Sequence, residues 1–196
     1  DVVALAYHVD YWDYIGWEDT FGDQSFSDRQ RAYAKSWGSS RIYTPQMVIN
    51  GAKGVVGSRR DEVHGVIASA ALPLAMEIAR DGDMLRIDVP PNTSLSDAGI
   101  WLVTYIDRAD VAIDKGENAG KTMVYTQVVT GRQGLGMWEA RAGAHLKLPL
   151  GNLLGNGNTG LAVVVQQSTF LRTAKLREIG GFNYDDPIED NSYLSG

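Results

Sequence analysis

The chain has 196 residues, a formal net charge of −6 from 18 basic and 24 acidic residues, and no cysteine. A hydrophobic share of 44% is ordinary for a globular protein, and a chain of this length can fold without disulfides or a structural metal. The charge balance gives no electrostatic footprint for nucleic acid or for an anionic membrane. These residues supply no thiol for catalysis or for zinc, and no apolar run reaches the roughly 18 residues that a membrane helix needs.

The first elements in chain order are a strand, an aromatic loop and a helix. The apolar run over residues 2–7 is typical of a strand that is buried on both faces, as in a parallel sheet. The loop that follows is rich in tyrosine and tryptophan. Ser27 is the expected N-cap of the helix because Gln30 stands in capping-box spacing, and Gly38 is the expected left-handed end.

A β-hairpin is predicted next. Residues 47–49 and 54–56 are short apolar runs, and Asn50-Gly51 between them is a typical hairpin turn. Ser58 is the expected N-cap of a second helix, which Pro73 ends. The pattern over residues 1–72 is therefore strand, helix, strand, strand, helix.

From Leu74 onward the hydrophobic pattern changes to period two. Leu74, Met76 and Ile78 alternate with other residues, and Asp81-Gly82 predicts a hairpin turn. Further strands are predicted over residues 100–106, 123–129, 145–148, 161–167 and 173–179. We therefore expect a β-rich, sandwich-like domain over residues 73–196 with an acidic C-terminal tail at 185–190.

Four stretches, at residues 7–14, 16–17, 29–33 and 43–51, together resemble the DUF1223 family. The family consists of secreted, largely bacterial proteins of unknown function that contain a thioredoxin-like domain. The resemblance implies an α/β thioredoxin-like domain that lacks its first strand and helix, followed by the all-β sandwich-like domain.

The resemblance also implies a redox motif that this sequence does not contain. Family members carry a Cys-x-x-Cys segment on a first strand and helix that precede the equivalent of Val2. We expect that segment upstream of the given sequence; the alternative is that the protein lacks it. Thiol–disulfide handling is accordingly expected through upstream cysteines, and the chain as written is expected to be inactive as a dithiol enzyme.

The candidate substrate-binding residues are Thr44, Pro45, Gln46, Trp12 and Trp17. An X-Pro bond is usually trans, but the resemblance implies a cis-proline at Pro45, on a loop that pairs with an extended substrate through main-chain hydrogen bonds. Both tryptophans come from the aromatic loop, which forms either a ligand-facing rim or core packing.

His8 and Asp10 stand two residues apart and would share one face of a strand. They form either an acid/base pair, as in a hydrolase, or a hydrogen-bonded structural pair. Two groups are too few for a metal site, so no catalytic residue and no metal ligand is assigned.

Two functions from different classes follow. The first is thiol–disulfide handling, and the alternative is a non-catalytic accessory module that binds peptide or protein on a thioredoxin-like scaffold. The expected partner is extended polypeptide or a thiol or disulfide substrate, without cofactor, nucleic acid or integral membrane segment. The resemblance implies a secreted or periplasmic location.

Overall fold

The computed structural model describes residues 2–116, 118–153, 155, 157–167 and 173–180. Within these residues the helices are α1 (Gln24–Ser36) and α2 (Arg60–Ser69), with short 3-10 turns at Asp13–Ile15 and Leu150–Asn152. The strands are β1 (Gln46–Ile49), β2 (Lys53–Val56), β3 (Glu77–Asp81), β4 (Met84–Val89), β5 (Ala98–Ala112), β6 (Thr122–Trp138), β7 (Ala144–Pro149), β8 (Gly160–Gln166) and β9 (Thr173–Gly180).

The strands form three antiparallel sheets. One is the β1–β2 hairpin, the second has the order β3-β4-β7, and the third has the order β6-β5-β8-β9. The protein is thus a mixed α/β structure in which residues from Glu77 onward are rich in strands. β5 and β6 are longer than their apolar runs predict, because their pairing continues from Ala98↔Trp138 to Ala112↔Thr122 through polar positions.

The main core joins the two larger sheets. Alternate side chains of β4, among them Leu85, Ile87 and Val89, pack in one buried cluster with the inward side chains of β5 and β8. Trp138 is fully buried in this cluster, and its indole N–H donates to the Pro90 carbonyl oxygen at 3.0 Å. The period-two alternation in the sequence produces this core, because it places apolar side chains on one face of each sheet and these two faces pack against each other.

A second cluster lies on the opposite face of the four-stranded sheet and holds helix α1. Phe26 of α1 packs there with Val103, Val129, Ala162 and Val164, and the chain around Leu5 and Tyr7 joins them. All seven residues of β8 are buried, because its alternate side chains belong to the two different clusters. This second cluster packs α1 against the four-stranded sheet and so positions the candidate site residues that α1 carries.

The prediction of a doubly buried strand over residues 2–7 was wrong. Within the described part of the chain, only Ala6 of this segment pairs with a strand, in a parallel bridge to Val128. The Ala6 N–H donates to the Gln127 carbonyl at 2.8 Å, and its own carbonyl accepts from the Val129 N–H at 2.9 Å. Leu5 packs on the second cluster while Ala4 is exposed. The segment therefore buries one side only, and a single residue reaches the sheet's hydrogen-bonding edge.

Both predicted helix N-caps were also wrong. Helix α1 begins earlier, after Asp23, whose side chain accepts a 2.7 Å hydrogen bond from the Ser25 amide. Ser27 is instead fully buried in the first turns, where its hydroxyl donates to Asp10. Helix α2 begins after Arg59, which makes no side-chain cap. At α1, the Asp23 carboxylate one turn upstream and the hydrogen bond from Ser27 to Asp10 therefore outweighed the local capping pattern.

The predicted hairpins are confirmed. Asn50 and Gly51 in the β1–β2 turn have φ of 49° and 66°, and Gly82 between β3 and β4 has φ of 60°; these are left-handed conformations that asparagine and glycine tolerate. The predicted strand at 173–179 corresponds to β9. The acidic tail at 185–190 lies outside the described residues, and the boundary between 72 and 73 stays a prediction. In the described part of the chain, no helix is long and apolar enough to cross a membrane.

Candidate functional site

The predicted loop residues Trp12 and Thr44 meet at the surface. The Thr44–Pro45 peptide is cis and directly precedes β1. The indole N–H of Trp12 donates to the Thr44 hydroxyl at 2.9 Å, and 43% of Trp12 is exposed. The hydrogen bond fixes the ring beside the loop and leaves much of its apolar surface open to solvent.

Helix α1 holds the same loop through Gln30. The side-chain amide of Gln30 donates to the Tyr43 carbonyl at 2.7 Å and to the side-chain oxygen of Gln46 at 3.0 Å. Its own oxygen accepts from the Tyr11 hydroxyl at 2.9 Å, and burial raises the pKa of that phenol. The loop before β1 is thus tied to α1 on both sides of Pro45.

Trp17 lies elsewhere. It packs against Gly116, in the connection between β5 and β6, where an added methyl group would lie 3.5 Å from the Trp17 Cβ. The structure therefore groups Trp12, Thr44 and Gln46 around Pro45 and gives Trp17 a different neighbour.

The edge of β1 is the second feature of this region. Among the described strands, β1 is hydrogen-bonded to β2 alone. Met47, in the middle of β1, is 39% exposed. The surface formed by Trp12, Thr44, Pro45, Gln46 and Met47, here named the β1 surface, combines a strand edge that no other described strand covers with exposed apolar side chains.

His8 and Asp10 have separate partners. Nδ1 of His8 lies 2.6 Å from Oδ2 of Asp19, and the His8 ring packs edge-on against Phe21 and Tyr125. Asp10 accepts a hydrogen bond from the Ser27 hydroxyl.

The His8–Asp19 pair is electrostatically distinct. Burial by itself raises the pKa of the Asp19 carboxyl, but hydrogen bonds from His8 and from the Phe21 amide outweigh burial and hold the pKa below its usual range. Burial also raises the pKa of the neighbouring Tyr125 phenol. In the described residues, no group of three or more histidine and acidic side chains has the arrangement of a metal site.

A cluster that the sequence did not reveal lies where α1 crosses the four-stranded sheet. Gln166, at the end of β8 and only 2% exposed, accepts at its side-chain oxygen from Arg29 at 3.1 Å and from Arg132 at 3.0 Å. The Tyr33 hydroxyl accepts from Arg29 at 2.9 Å and from the Gln166 side-chain amide at 3.1 Å. Two guanidinium groups thus converge on one oxygen atom.

Aromatic rings surround these two arginines. Cζ of Arg132 lies 3.4 Å from the centroid of the Trp101 ring, and Cζ of Arg29 lies 5.6 Å from the Tyr7 ring and 5.1 Å from the Tyr33 ring. Burial, followed by the charge of Arg29, lowers the pKa of Arg132 to about 10. Burial likewise raises the pKa of Tyr7.

The only sequence sign of this cluster was weak. Gln166 is the polar residue that ends the apolar run of β8, and it continues the face of Ala162 and Val164 toward α1. Arg29 and Arg132 look like ordinary charged residues of a helix and a strand until the tertiary structure brings them together.

Fold and site together define a mixed α/β protein with three antiparallel sheets, and its described residues contain no cluster of three or more histidine and acidic side chains that could hold a metal ion. The chain belongs to the DUF1223 family, "Protein of unknown function (DUF1223)", whose model matches residues 1–166. A crystal structure of an Agrobacterium tumefaciens protein, a structural genomics target, is similar to this chain with a TM-score of 0.77 and 25% sequence identity, over 96% of this chain and 84% of that chain. No curated protein matches the sequence.

Proposed function

We propose that this protein is a non-catalytic binding module, built on a thioredoxin-like scaffold, that holds an extended polypeptide segment along the β1 surface. The observation that carries the proposal is the edge of β1, which has no strand partner among the described residues and starts beside the exposed Trp12–Thr44 pair. The order helix, hairpin, helix over residues 24–69 supports the scaffold.

The chemistry of such a site follows from strand addition. A peptide strand that pairs with an open edge gains main-chain hydrogen bonds, and side chains beside the edge select its sequence. Trp12 offers a large, rigid apolar surface with few rotamers, and its indole N–H is already satisfied by Thr44. We therefore expect extended peptides with an apolar side chain that packs on Trp12.

A screen of extended synthetic peptides, with affinities then measured by calorimetry, tests the proposal. Trp12→Ala should weaken binding by at least about tenfold, the scale of an exposed aromatic anchor. Tyr14→Ala is the matched control, because Tyr14 is a neighbouring aromatic that is 80% exposed. Backbone amide signals of β1 should shift on binding. The proposal fails if no peptide binds, or if Trp12→Ala and Tyr14→Ala have the same effect.

Thiol–disulfide handling, the function that the resemblance implies, stays a prediction. The 196 residues contain no cysteine, so a reacting thiol would come from outside this sequence. We also propose a secreted or periplasmic location, which rests on the family resemblance alone. Fractionation of cells that make the full-length protein tests it, and recovery in the cytoplasmic fraction would contradict it.

A further inference from the structure

The arginine cluster has a charge that the described residues do not balance. Four other arginines lie within ion-pair distance of a carboxylate: Arg31, Arg59, Arg86 and Arg108. Neither Arg29 nor Arg132 has such a partner in the described part of the chain, although both are partly buried and share one acceptor on Gln166. Two like charges at short range in a low-dielectric site repel each other strongly.

One donor in this cluster also lacks an acceptor among the described residues. Nε of Arg132 is buried and makes no hydrogen bond to any residue that the structure describes. A buried donor without an acceptor costs free energy, and such groups in native proteins call for an explanation, of which a bound ion is one. The stacking of Arg132 on Trp101 fixes the plane of its guanidinium group, as oxyanion recognition requires.

We propose that Arg29 and Arg132 form a binding site for the oxyanionic group, carboxylate or phosphate, of a small ligand. Guanidinium groups match the geometry of both anions and bind them through charge-assisted hydrogen bonds. The surrounding rings of Tyr7, Tyr33 and Trp101 would contact the uncharged part of the ligand. The site shares no residue with the β1 surface, because Arg29 lies on α1 and Arg132 lies on β6.

A purely structural role is the competing explanation. In that case the two arginines only pin α1 to the sheet through Gln166 and Tyr33, and added anions have no specific effect. The experiment must therefore measure two quantities, the binding of the anion and the stability of the fold.

We would titrate the arginine side-chain N–H signals of the labelled protein with sodium phosphate and, separately, with sodium acetate, against sodium chloride at equal ionic strength. The Arg132 Nε–H signal should shift saturably with at least one oxyanion and not with chloride. The thermal midpoint should rise by about 3 °C at ten times the dissociation constant. A response to phosphate alone identifies a phosphate group, and a response to acetate alone identifies a carboxylate.

Arg29→Gln and Arg132→Gln should each abolish the saturable rise in thermal midpoint. Arg108→Gln is the matched control, because it removes one positive charge from an exposed arginine that pairs with Asp110 on the same sheet. Arg132→Lys keeps the charge and should weaken binding about tenfold even if Arg132→Gln fails to fold. The inference is overturned if neither oxyanion differs from chloride, or if Arg132→Lys binds as tightly as the wild type.

Discussion

Replacing Gly54 with alanine should loosen the contact between α1 and the β1–β2 hairpin. An added methyl group would lie 2.6 Å from Cζ3 of Trp37 and 3.2 Å from Nε2 of Gln46. Trp37 is the C-cap of α1, and its ring stacks on Tyr33 at a centroid distance of 5.3 Å. Because carbon atoms in contact prefer about 3.5–4.0 Å, the ring or the strand must shift by roughly 1 Å.

The expected cost follows from the freedom of the Trp37 ring. Overpacking in a core destabilises by about 1–3 kcal/mol, and Trp37 is only half-buried, so we expect the free energy of unfolding to fall by about 1 kcal/mol. Urea denaturation followed by far-UV circular dichroism measures this change. At an m-value of about 2 kcal/mol/M, the midpoint should fall by about 0.5 M.

Two comparisons isolate the contact. Gly65→Ala lies in the interior of α2, where the added methyl group would meet no described residue within 4 Å apart from the neighbouring backbone of its own helix, and it should stabilise by about 0.5–1 kcal/mol through helix propensity. In a Trp37→Leu background, Gly54→Ala should lose most of its cost, because the obstructing ring is gone. The reasoning is refuted if Gly54→Ala unfolds at the same or higher urea concentration than the wild type, or if Trp37→Leu leaves its cost unchanged.

Two further predictions concern charge and chemistry. The pKa of Asp19 lies below its unfolded value of about 3.9, so its carboxylate stabilises the fold above that pH, and this stability is lost as the pH falls through the folded pKa. Asp19→Asn should therefore make the thermal midpoint depend less steeply on pH below about pH 5. An unchanged slope would contradict the assignment. The 196-residue chain has no cysteine and should not reduce insulin disulfides in a turbidity assay with thioredoxin as positive control; measurable reduction would disprove this expectation.

Short-range features of the fold were predictable where one local preference was decisive. The Asn50-Gly51 turn requires positive φ at both residues, and few residue types accept that conformation, so the hairpin followed from the sequence. The start of α1 was not predictable in the same way. Asp23 and Ser27 are both good N-caps, and the choice between them depended on Asp10, which lies 17 residues from Ser27 and holds its hydroxyl inside the structure.

The candidate sites show the same difference between local features, which were predictable, and long-range contacts, which were not. Thr44 and Gln46 could be selected in advance because the family resemblance implies a cis-proline at Pro45, and Trp12 because it belongs to a dense aromatic segment. The hydrogen bond that unites Trp12 with Thr44 spans 32 residues and was not predictable. The arginine cluster was not predictable from the sequence, because its members come from a helix and two strands and no single segment has an unusual composition.

The separation of those segments along the chain has a consequence for folding. Arg29 and Gln166 are 137 residues apart and meet only when β8 has joined the sheet beneath α1. Contacts of such high sequence separation form late, since the entropy of closing a long loop must be overcome first. A ligand held between Arg29 and Arg132 would therefore bind no partly folded chain, and its presence would slow unfolding while leaving the earliest steps of folding unchanged.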